Sequence, residues 1–126
     1  MGTPVLDPGA VILHGYIFGP TYTPQNDGAD LHGLDLRSIW LKYAFLTDSN
    51  LTGANLSGLD LTHIVLNGSN LTAANLAGSN LTSASLYTAN LSQANMIGVI
   101  YSFTTCPDGT NSENNGGTCA GHGGGL

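Results

Sequence analysis

The side chains able to do chemistry are few in this chain, and their spacing does not assemble them. Histidines stand at 14, 32, 63 and 122, at intervals that fit no catalytic or metal-binding motif. None lies in a Ser-His-Asp context, the carboxylates form no acid–base pair, and the only lysine, Lys42, has no phosphate-cradling loop beside it. His32 and His63 read as solvated side chains. The sequence therefore assigns no catalytic residue and no cofactor-binding residue, and the expected activity is not that of an enzyme.

Cys106 and Cys119 are the only two cysteines. Pairing is the simplest reading: a disulfide would close a fourteen-residue segment, worth roughly 3 kcal/mol in the chain-entropy picture, and would imply an oxidising, exported setting. The competing reading is metal, with Cys106, Cys119 and His122 as three ligands, although structural zinc normally takes four with closer cysteine spacing. Asp108 to Asn115 is rich in oxygen donors but lacks the regular spacing of a calcium loop; it reads as a polar turn. The site assignment is thus a disulfide, with no metal, and the closing Gly121-His122-Gly123-Gly124-Gly125 reads as a flexible tail.

Composition narrows the partners. Charged residues make up 8% of the 126 positions and hydrophobic ones 41%, which is not the balance of a disordered chain. Arg37 and Lys42 are the only strong cations against eight acids, a net charge of −6. Nucleic acid is excluded as a partner on this count, because nothing basic is available to displace phosphate counterions. No run approaches the ~20 apolar residues of a membrane span. Val11-Ile12-Leu13 and Tyr16-Ile17-Phe18 are apolar, but glycine and proline interrupt them and no basic residue precedes them; they do not read as a signal peptide.

The elements that must carry these residues follow from a repeat. From Leu31 to Leu91 every fifth residue is leucine, and Met96 and Tyr101 continue the register. Two positions earlier sits a residue that is usually small, such as Ala29, Ser49, Ala54, Ser69 or Ala74. One position earlier Asn or Asp predominates. Five residues advance an α-helix by about 140° net, which would scatter the leucines. In one continuous strand an odd period would send them to alternate faces. All can be buried only if the chain turns a corner at each repeat, so that four corners close a square coil.

Ala54-Asn55-Leu56-Ser57-Gly58, Ala74-Asn75-Leu76-Ala77-Gly78 and Ala94-Asn95-Met96-Ile97-Gly98 resemble the pentapeptide-repeat family, with its A(D/N)LXX pattern. The resemblance covers residues 29–98 and implies an all-β fold, a right-handed quadrilateral β-helix of about 3.5 coils. Coils stacked ~4.8 Å apart would give a rod about 17 Å tall. The domain reading is a cap or covering segment over 1–28, the solenoid over 29–103, and a disulfide-closed loop with its tail over 104–126. The Cys-Pro-Asp-Gly…Cys tail resembles that of exported bacterial members.

Function should lie in the outward positions. Asp30, Asn50, Asn70 and Asn90 should stack in one row and Asn55, Asn75 and Asn95 in another; such rows are expected to hydrogen-bond from coil to coil. Trp40, Phe45 and Val65 replace Asn or Asp, with Tyr43 at the corner between their two faces. This outward apolar cluster is the candidate interaction patch, unless the N-terminal segment folds over it. The leading expectation is a secreted, structural or protein-binding module able to self-associate. The resemblance also supplies an alternative, a DNA mimic acting on gyrase, from which this chain departs in its short rod and few acids. Regular Asn-Leu-Thr rows admit a third reading, an ice-binding face.

Overall fold

The computed structural model describes residues 11–13, 16–19 and 26–126. His14 and much of the expected N-terminal cap lie outside these residues. Within that segment β1 (Val11–Leu13) and β2 (Tyr16–Phe18) pair antiparallel, with Val11 opposite Phe18, and the Phe18 side chain is buried in the core.

From Asn26 onward the chain stacks on itself at a twenty-residue interval. Parallel bridges join Asp30 to Asn50, Asn50 to Asn70 and Asn70 to Asn90, and equivalent rows run from Asp35 to Asn95 and from Phe45 to Thr105. Leu31 N–H donates to Asn50 O at 2.8 Å while Asn50 N–H donates to Ala29 O at 2.8 Å, so adjacent coils are laced in both directions. Twenty residues divided by the five-residue repeat gives four sides. The first carries Leu31, Leu51, Leu71 and Leu91, and the second Leu36, Leu56, Leu76 and Met96. The third carries Leu41, Leu61, Leu81 and Tyr101, and the fourth Leu46, Leu66, Leu86 and Cys106. Each side pairs through a single residue, because the next corner arrives before a longer strand can form.

The corner is a type II turn. Ala54 N–H closes it on Leu51 O at 3.0 Å, with Gly53 at φ 67° in the third position. The leucines point inward and are essentially fully buried, alongside Ala29, Ala54, Ala74 and Ser69. Burying one leucine contributes roughly 1.5–3 kcal/mol, so the ladder itself supplies the core.

The Asn rows act differently from the expectation. The Asn70 side-chain oxygen accepts from Thr72 N–H at 3.0 Å and from the Thr72 hydroxyl at 2.6 Å, and Asn55, Asn75, Asn80, Asn90 and Asn95 accept likewise from the backbone two residues on. Each amide holds the turn of its own coil, and backbone bonds do the stacking. An acceptor at this position is what the turn requires, which Asn and Asp meet equally.

At the far end Cys106 and Cys119 are joined in a disulfide, with Cα atoms 5.3 Å apart. Their sulfurs are therefore not metal ligands, and His122 Nδ1 faces Asp108 Oδ2 at 3.2 Å. A 3-10 turn over Ser112–Asn115 begins at Asn111. The glycine tail does not trail away. Gly124 O accepts Leu91 N–H at 2.6 Å, in the place a further coil would take, and Leu126 packs against the core. Glycines at positive φ allow this close return, since a Cβ on Gly124 would lie 2.7 Å from Ala89 O.

Candidate interaction surface

The patch expected from the sequence gathers at the corner between the third and fourth sides of the first two coils. Phe45 bridges Val65 on the fourth side, with Phe45 outermost and Val65 half-buried. Trp40 lies on the third side and Tyr43 in the turn between them. Trp40, Tyr43 and Phe45 keep 44%, 46% and 37% of their surface exposed. None of the three outward positions, 40, 45 and 65, can supply the side-chain acceptor that holds the turn in other repeats.

Several corners carry a side chain rather than glycine at the left-handed turn position, and the column of Tyr43 and His63 is one of them. Tyr43 and His63 occupy the third turn position at φ 65° and 61°, where Gly33, Gly53 and Gly58 stand on other corners. A side chain there costs on the order of 1–2 kcal/mol. In return the two rings stack, with centroids 4.9 Å apart and planes 8° from parallel. Thus His63, read from sequence as merely solvated, supports Tyr43 from the next coil. The signal was present in the twenty-residue separation of 43 and 63. His32, by contrast, pairs with Asp30 at 2.6 Å.

Beside Trp40 the ladder opens. Leu61 N–H donates to Asn80 O and Asn80 N–H to Leu59 O, both at 2.9 Å. Among the described residues, the equivalent bonds between Leu41 and Asp60 and between Asp60 and Ile39 are absent, and no bridge joins Trp40 to Asp60. A cavity of about 300 Å3 occupies this opening, walled by Ile39, Trp40 and Leu59 and edged by Arg37, Lys42 and Asp60. The Lys42 ammonium lies 3.7 Å from Asp60 Oδ2 and 5.5 Å from the Tyr43 ring centre. Hydrogen bonds from Arg37 hold the Asp35 carboxyl down at about 2. The Thr62 hydroxyl, helped by its N–H and by Lys42, keeps Asp60 below the usual carboxylate range despite partial burial. Sequence reasoning found Trp40 here but missed the cavity, which depends on a lost backbone pairing that no residue type announces.

Exposed apolar side chains recur on the last coil at Ile97, Ile100 and Phe103. No helix among the described residues is long and apolar enough to cross a membrane.

Comparison with known proteins agrees with this architecture. The description of pentapeptide repeats matches residues 29–68 and 64–100, in eight copies. No curated protein matches the chain. Among solved structures, the pentapeptide-repeat protein Rfr23 from the cyanobacterium Cyanothece 51142 is 36% identical, over 62% of this chain and 53% of its own, with a TM-score of 0.60. HetL, a pentapeptide-repeat protein involved in heterocyst differentiation regulation in the cyanobacterium Nostoc sp. strain PCC 7120, is 30% identical over 68% of this chain and 41% of its own, with a TM-score of 0.54. The chain spans about half the length of these structures or less. With the repeat, the twenty-residue stacking and the family match in agreement, the chain belongs to the pentapeptide-repeat family.

Proposed function

We propose that the chain is a non-enzymatic binding module that docks a protein partner on the corner formed by Trp40, Tyr43, Phe45 and Val65, a second copy of itself being the first partner to test. One observation carries this reading. Three neighbouring outward positions, two on one coil and one on the next, give up the turn-holding acceptor and present aromatic or aliphatic surface together instead, and a local rule broken without a compensating bond is the mark of a working surface. Exposed aromatic anchors of this kind are what dominates binding energy at protein interfaces.

The same reading takes residues 29–103 as the solenoid, a right-handed coil of about 3.5 turns, with 1–28 and 104–126 as its caps. The disulfide supports an exported location. The DNA-mimic reading has less behind it, since Asp30, Asp35 and Asp60 are each engaged by His32, Arg37 or Lys42 rather than left as free outward charge.

Sedimentation velocity across a concentration series tests the docking surface. The wild-type chain is expected to associate reversibly, and Trp40→Ser with Phe45→Ser to sediment as a monomer at every concentration. A wild-type monomer throughout, or association that survives both substitutions, overturns self-docking at this corner.

A further inference from the structure

The opening beside Trp40 has a chemistry that the apolar corner does not share. Leu41 is buried, yet its N–H has no hydrogen-bond partner among the described residues, and the same holds for Asp60 N–H. Their counterparts one coil on, Leu61 and Asn80, are both paired. Two donors, and the Ile39 and Asp60 carbonyls that would have accepted from them, therefore face the gap. The N–H of buried Leu41 is costly to leave unmatched, whereas Asp60 is exposed.

The side chains around the gap repeat this balance. Arg37 and Lys42 are the only lysine or arginine residues in the chain, and both edge this one cavity. Asp60 lies beside them. Arg37 uses Nε and Nη2 on Asp35, which leaves the rest of its five donors free. The 3.7 Å separation of Lys42 from Asp60 is beyond hydrogen-bond distance, so the ammonium keeps its donors as well. The remaining wall, Ile39, Trp40 and Leu59, is apolar.

A lone anion would meet Asp60 and a lone cation would meet Arg37 and Lys42. A ligand carrying both charges on neighbouring atoms, with a compact apolar group, meets every feature. We propose that this cavity is a binding site for an apolar α-amino acid: its carboxylate is taken by Arg37, Lys42 and the Leu41 N–H, its ammonium by Asp60 and the Ile39 carbonyl, and its side chain by Trp40, Ile39 and Leu59. The volume of about 300 Å3 lies at the small end of small-molecule pockets, which suits such a ligand. The site shares Trp40 with the protein-docking corner but does not rest on that reading.

Trp40 is the only tryptophan, so its fluorescence, followed at one fixed protein concentration to hold any self-association constant, reports the surface that walls this cavity. Titration of the full chain with L-leucine in the millimolar range is expected to give a saturable change in Trp40 emission and to shift the Leu41 and Asp60 amide resonances. The singly charged analogues 4-methylpentanoate and 3-methylbutylamine should bind at least about tenfold more weakly. Lys42→Gln and Asp60→Asn should each weaken L-leucine to a similar degree, whereas Tyr43→Ser with Phe45→Ser should leave it unchanged, separating this site from the docking corner. No saturable response to L-leucine in the wild-type chain overturns the proposal. So does equal binding of either singly charged analogue, or L-leucine affinity unaltered by both Lys42→Gln and Asp60→Asn.

Discussion

Ser69 Oγ donates to the Leu46 carbonyl at 2.5 Å, whereas Ser79 Oγ is buried without a partner among the described residues. The two serines fill the same inward slot on different sides of one coil, but their neighbours differ. Ser69 is stacked on Ser49, whose N–H also reaches its hydroxyl at 3.3 Å. Ser79 stands between Leu59 and Val99, the residues twenty before and twenty after it. A buried hydroxyl with no bond costs about 1–3 kcal/mol, and one that is bonded contributes about 1 kcal/mol. Ser79→Ala is therefore expected to stabilise the chain by about 1 kcal/mol. Ser69→Ala should destabilise it by a similar amount. Urea denaturation of both variants beside the wild-type chain checks the pair, and a Ser79→Ala variant less stable than wild type would show that its hydroxyl has a partner after all. Both serines satisfy the requirement for a small inward residue, and the sequence separates them only through the residues twenty away, Ser49 beside Ser69 but Leu59 and Val99 beside Ser79.

At the scale of the element, the same five-residue unit is used with three different endings. In the regular repeats an Asn or Asp holds the turn and backbone bonds join the coils. At the corner of Tyr43 and His63, ring stacking replaces glycine. At the C-terminal cap, Cys106 takes the inward slot of Leu46, Leu66 and Leu86, while its disulfide returns the chain from Cys119 toward Leu91. The bond thus ties together two edges that would otherwise be open strands. Replacing both cysteines by alanine should cost roughly 3 kcal/mol on the loop-entropy estimate, read as a lowered denaturation midpoint, and should expose the Leu91 amide to exchange. An unchanged midpoint would mean that hydrogen bonds alone hold the cap. Leucine spacing made the coil legible because period five excludes both helix and flat strand. The cysteine pair was legible because no other cysteine competes. The docked tail was not, since a run of glycines carries no side-chain pattern and its position is fixed by one carbonyl bond to Leu91. Nor was the role of the Asn rows, because stacking amides and turn-holding amides leave the same pattern in the sequence.

At the scale of the whole molecule, a solenoid is stabilised by the interface between each coil and the next. These interfaces are not equal here. On the third side Leu61 and Leu81 N–H groups reach the following coil, at 2.9 Å each, while Leu41 does not. The first coil is bound to the second through its other sides, as in Leu31 to Asn50, Leu36 to Asn55 and Leu46 to Val65, and at the end of the third side by Tyr43 N–H to Thr62 O at 3.0 Å. The missing pairing sits beside the docking corner and at the proposed amino-acid site, so the least tightly laced interface is also where exposed aromatic surface is concentrated. Segments that bind ligands tend to come from the less stable end of a structure. Native-state hydrogen exchange should therefore find the Leu61, Leu71 and Leu81 amides opening only with global unfolding. The Leu41 and Asp60 amides should exchange far faster, despite the burial of Leu41. Added L-leucine should slow those two amides and leave Leu71 unchanged. Leu41 protection equal to that of Leu61 in the free protein would instead mean that the ladder closes in solution, removing the cavity and the coupling between coil lacing and binding together.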